Sequence, residues 1–123
     1  MNDMNALKAA VGDVLVQWGM FEDCVRTIHA DDGKGLAFVS QWERVVADAS
    51  VVAALKGELL NASSVRNLLA HGIVGATVGE SSDESFVTCR DRAGERHQLT
   101  QTTLVETAQS IDRLRRQIVS KRV

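Results

Sequence analysis

Proline and tyrosine are both absent from this 123-residue chain, and aromatic residues make up only 4% of it. Without proline there is no Pro-rich linker, no internal repeat is visible, and the length suits one domain around one core. Cysteine is scarce. Cys24 and Cys89 stand far apart with no CxxC or Cys/His spacing, which argues against a disulfide framework or a zinc site and for reduced, buried or idle thiols. No apolar run approaches the roughly 18 residues a membrane-spanning helix needs. Asp13 and Glu22 interrupt any signal-peptide pattern, so the expectation is a cytoplasmic protein with no membrane partner. Excess positive charge is missing too. Lys and Arg number 14 against 16 Asp and Glu, a net charge of −2. The whole chain is therefore not a polycation that coats nucleic acid, and any such contact must come from a local patch. No His, Cys or carboxylate set shows metal-ligand spacing, so neither a metal nor another cofactor is expected.

What is present is an ordinary globular balance, 45% hydrophobic and 24% charged. Leu7, Val11, Val14, Leu15, Trp18, Phe21, Val25 and Ile28 recur at three- and four-residue steps, which predicts a helix from about Asn5 to Ala30, stopped by Asp31-Asp32-Gly33. A second helix is predicted over Leu36–Ala47, with Phe38, Val39, Trp42 and Val45-Val46 inward. A third runs from Val51 to His71, with Ser50 as N-cap and Gly72 as a left-handed stop. After Gly72 the texture turns to β. Ile73–Val78 and Ser85–Cys89 read as strands, Asp91–Gly94 as a turn, and Arg96–Leu99 as a short return strand. The last helix starts near Thr102 or Thr103, where Thr103-Leu-Val-Glu106 has capping-box form. Leu104, Ala108, Ile111, Leu114 and Ile118 give it one apolar face. The fold class is mainly α: an antiparallel bundle of about four helices with a small β-hairpin or meander before the last.

The segment with most chemistry is Ser64-Val-Arg-Asn-Leu-Leu-Ala-His71-Gly72. Arginine is a fixed cation with a forked donor set suited to phosphate oxygens, and histidine exchanges protons near neutral pH. On an ideal wheel Arg66 falls roughly 20° from the centre of the third helix's apolar stripe, taken near Leu55. Glu22 falls roughly 40° from Trp18 on the first helix, and His29 roughly 20°. Buried charges come in pairs or beside cavities, so a Glu22–Arg66 ion pair between the first and third helices is expected. Asn67 and His71 form an i, i+4 pair on one flank. His71, in the last turn, feels a helix dipole that favours its protonated form. The plainer readings stay open beside these: Arg66 as only a structural ion pair, His71 as a helix-terminal cap, His29 as a hydrogen-bonded core histidine, and the C-terminal arginines as a solvated face.

The pattern Arg66-Asn67-x3-His71-Gly72 at a helix end, with Trp18-x3-Glu22 on the first helix and an amphipathic last helix, resembles the HEPN family of small helical domains. The resemblance covers the whole chain. It implies a homodimer in which two motifs meet in one cleft and a metal-independent endoribonuclease acts on RNA. His71 of each copy would be general base and general acid, and Arg66 would stabilise the transition-state charge. Asn67 would position the phosphate or orient His71, and the product would be a 2′,3′-cyclic phosphate. It further implies a toxin or defence component, with a cognate antitoxin or regulatory protein as possible partner. Many toxin members carry a tyrosine two residues after the histidine. Here that residue is Ile73, so control by tyrosine modification is not expected. The other readings are a HEPN-like dimer that binds nucleotide, RNA or a protein without cleavage, and a purely structural helical dimer.

Overall fold

The computed structural model describes residues 3–28 and 37–121, with side chains to residue 118. His29, the Asp31-Asp32-Gly33 stop, Leu36 and Arg122 lie outside the described residues, as does the Lys121 side chain. The elements are α1 (Met4–Ile28), α2 (Phe38–Val46), α3 (Ala49–Gly72), β1 (Ile73–Thr77), β2 (Phe86–Arg90), β3 (Arg96–Thr100) and α4 (Gln101–Lys121). The chain is thus mainly helical, with four helices among the described residues. The β segment is a full three-stranded antiparallel sheet in the order β1-β2-β3, more than a hairpin.

The helix periods are the ones that build the core. Leu7, Ala10, Val14, Trp18, Phe21 and Val25 of α1 are buried against Leu104, Ala108, Ile111, Leu114 and Ile118 of α4, and α1 and α4 form the most extensive helix pair. Each large apolar side chain so buried contributes about 1.5–3 kcal/mol. Leu15, expected in the α1 stripe, is instead exposed. Trp18, Phe21 and Phe38 close the α1–α2 end as an aromatic cluster, with ring centroids 5.1–5.7 Å apart, and Trp42 is fully buried beside it.

Two helix starts differ from expectation by a local hydrogen-bond choice. Asp48, not Ser50, caps α3: its carboxylate accepts from the Ser50 and Val51 N–H groups at 3.0 and 3.3 Å. A carboxylate is the stronger acceptor for amides at a positive helix end. At α4, Thr100 Oγ1 accepts from Thr103 N–H at 3.1 Å, so the capping side chain lies three residues before the expected one. That lets β3 run straight into the helix.

Gly72 is also different. Among the described residues the positive-φ glycine is Gly94, in the β2–β3 turn, and α3 gives way at Ile73 to extended backbone. Gly72 is needed for space. It is buried, and a Cβ there would land on the Arg90 carbonyl oxygen of β2. The missing side chain lets the end of α3 lie against the sheet.

The sheet turns Val87, Cys89 and Leu99 into the core, and burial pushes the Cys89 thiol pKa up. Every residue of β1 is exposed. It is an edge strand with a register irregularity between Ile73 and Gly75.

Two glycines of α3 should respond oppositely to substitution. Gly72→Ala must push backbone apart and should cost about 1–3 kcal/mol or more. Gly57→Ala, in open space within the same helix, should stabilise by about 0.5–1 kcal/mol. Urea unfolding followed by circular dichroism checks both.

Candidate functional site

A cleft of about 710 Å³ opens between the C-terminal end of α3 and the β2–β3 turn. Ser64, Asn67, Leu68, His71 and Gly72 line it from the helix, with Ile73 and Val74 from β1. Arg90, Asp91, Arg92 and Ala93 complete it from the hairpin. Asn67 and His71, one helical turn apart, therefore share one wall. His71 is exposed at the rim, with no hydrogen-bond partner among the described residues.

Arg66 is not among the cleft's lining residues. Its Nη1 donates to Asn67 Oδ1 at 3.1 Å, so it reaches the cleft wall only through its neighbour. The expected Glu22–Arg66 ion pair does not form. Glu22 accepts from Trp18 Nε1 at 3.2 Å and pairs with Arg26 at 3.6 Å. The reason lies in where the stripe falls. The buried residues of α3 are Leu59, Ala62, Val65, Leu69 and Gly72, while Leu55 is only half-buried. That moves the stripe centre and leaves Arg66 roughly 60° off it, on the edge. An arginine on the edge keeps its head in water and needs no buried counter-ion.

The hairpin arginines were not foreseen from the sequence. Arg90 ends β2 and Arg92 sits in the turn that Gly94 makes possible, with φ +87°. Asp91 organises that turn. Its Oδ1 accepts from the Ala93 and Glu95 N–H groups at 2.9 and 3.0 Å, and His97 Nε2 lies 2.8 Å from its Oδ2. The bond to His97 holds the Asp91 carboxyl below the usual carboxylate range. Partial burial opposes this, and the two backbone N–H bonds reinforce it. The same turn brings ligand-capable atoms of Asp91, Glu95 and His97 within 4.8 Å of one another, a grouping that linear spacing did not show.

The basic C-terminal end is not a free patch among the described residues. Arg113 pairs with Glu58 at 3.1 Å, and Arg115 and Arg116 both pair with Asp112, at 2.7 and 2.8 Å. No family model, curated protein or solved structure matches the chain.

Two expectations follow. Glu22→Ala should cost about 1–2 kcal/mol, because it strands the buried Trp18 N–H, and Glu22→Gln should cost less. Arg66→Ala should cost about 0.5 kcal/mol or less. A double-mutant cycle between positions 22 and 66, read from urea unfolding, should be additive. The second concerns acid. A carboxyl whose folded pKa is depressed stabilises above its unfolded value of about 3.9, and that contribution is lost as pH falls through the folded pKa. Unfolding free energy should therefore decline on acidification below about pH 4, with a shallower decline in Asp91→Asn.

Proposed function

We propose that the chain is a metal-independent endoribonuclease of HEPN type, a toxin or defence component that works as a homodimer. The observation that carries this reading is the cleft where Asn67 and His71 of α3 meet Arg90 and Arg92 of the hairpin. An exposed imidazole beside an amide and two guanidiniums is a donor set for a phosphodiester. His71 of one copy takes the proton from a 2′-hydroxyl, whose oxygen attacks the phosphorus. The P–O5′ bond breaks, and His71 of the other copy protonates the leaving 5′-oxygen. The products are a 2′,3′-cyclic phosphate and a 5′-hydroxyl. Asn67 holds a non-bridging phosphate oxygen, and Arg66, bonded to Asn67, adds positive charge behind it.

A second copy has apolar surface to cover. Val16 of α1 and Val105 of α4 are exposed and share a shallow groove with Ala6, Ala9 and Asp13. A partner antitoxin or regulator would not act by tyrosine modification, since the chain has no tyrosine.

The runner-up is a dimer of the same kind that binds nucleotide, RNA or protein without cutting. The observation that favours it is the withdrawal of Arg66 from the cleft lining.

His71→Ala should abolish RNA cleavage and leave the circular dichroism spectrum unchanged, since the exposed ring supports little packing. Proton transfer of this kind is worth about 10²–10⁴-fold. The wild-type pH–rate profile should be bell-shaped, because one His71 must be neutral while the other is protonated. Activity should persist in excess EDTA. Cleavage lost on chelation and restored by a divalent metal would instead move the chemistry to Asp91, Glu95 and His97.

A further inference from the structure

The charge on the cleft's hairpin wall is not balanced within the protein. Several cations of the helices are matched: Arg26 with Glu22, Lys56 with Glu43, Arg113 with Glu58, and Arg115 and Arg116 with Asp112. Arg90, Arg92 and Arg96 have no carboxylate partner among the described residues. Arg90 and Arg96 are also direct cross-strand partners in the β2–β3 ladder, where like charges repel and destabilise.

The two acids of the hairpin, Asp91 and Glu95, offset only two of the three arginine charges. Asp91 is the acidic residue among those lining the cleft. Its Oδ2 is taken by His97 and its Oδ1 by the Ala93 and Glu95 N–H groups. In a chain of net charge −2, three arginines against two carboxylates leave the hairpin with one net positive charge beside His71. Gly72 fixes its place: the close approach of the α3 end to the Arg90 carbonyl joins hairpin and helix through backbone.

Resting on the reading of the cleft as an RNA site, we propose that the β2–β3 hairpin is a second phosphate-binding subsite. Arg90 and Arg92, with the charge of Arg96 behind them, hold a phosphate of single-stranded RNA next to the one presented to His71. Guanidiniums suit this because their planar forks take phosphate oxygens in pairs. The contacts go to the backbone, so the subsite sets affinity and strand register and reads no base. These arginines bind and position; proton transfer stays with His71.

The test uses the intact protein and a short fluorescein-labelled single-stranded 2′-O-methyl RNA, which has no free 2′-hydroxyl to attack. Fluorescence anisotropy at several salt concentrations gives affinity and its salt slope. Arg90→Gln/Arg92→Gln should bind about tenfold or more weakly, with a slope about one to two units shallower. The lysine pair Arg90→Lys/Arg92→Lys should recover much of the affinity, and Arg113→Gln should bind as wild type. Circular dichroism checks that each variant is folded. Equal affinity and slope in wild type and the glutamine pair overturns the subsite, as does an equal loss in Arg113→Gln or no binding by wild type at low salt. Cleavage of unmodified RNA is measured separately. Arginine-dependent binding without cleavage keeps the subsite and removes the nuclease. Cleavage with unchanged KM in the glutamine pair keeps the nuclease and removes the subsite.

Discussion

The cleft depends on one close approach. The last residue of α3 lies so near the Arg90 carbonyl that only glycine fits there. Without that approach, the helix carrying Asn67 and His71 and the hairpin carrying Arg90 and Arg92 would be separate surfaces. The helix is anchored by Leu59, Ala62, Val65 and Leu69, and the sheet by Val87, Cys89 and Leu99, all in one core. Two rigid elements thus carry the two walls, and a backbone contact sets the gap between them.

The polar groups follow a local rule. Glu22 bonds to residues on its own helix, Asp112 pairs along α4, Asp48 caps the helix it precedes, and Asp91 ties its own turn. Near partners need less ordering of long side chains than cross-helix ones. The exceptions join separate elements: Arg26 reaches Gln41, Lys56 reaches Glu43, Thr102 reaches Asp83, and Glu58 reaches from α3 to Ser110 and Arg113 of α4. Glu58 ties α3 and α4 together on the surface.

How much could be read in the sequence varied with the length of chain a feature needs. The helices of α1 and α4 were legible because their 3.6-residue periods extend over many turns, and the apolar face named for α4 is the buried one. The strands were legible in place, with ends off by a residue or so, because β-rich stretches are bounded by Gly72 before β1 and by the Gly- and Ser-containing residues 79–83 between β1 and β2. The role of Gly72 was misread. A helix-ending glycine signals a left-handed cap equally well, and nothing local reveals a carbonyl arriving from eighteen residues further on. The Glu22–Arg66 pairing failed because a wheel centre estimated from Leu55 was off by part of a turn, enough to move a long cation from core to edge. Asn67 and His71 were legible as one flank of a helix. Arg90 and Arg92 were not, because they reach that flank only once the hairpin folds back.

The aromatic cluster has a spectroscopic consequence. With no tyrosine in the chain, intrinsic emission comes from Trp18 and Trp42 alone. Trp42 is fully enclosed and Trp18 nearly so, with its indole N–H bonded to Glu22. Both belong to the α1–α2 end, and neither lines the cleft. Native fluorescence should be blue-shifted, and it reports whether that end of the core is intact. It is blind to whatever occupies the groove beside His71.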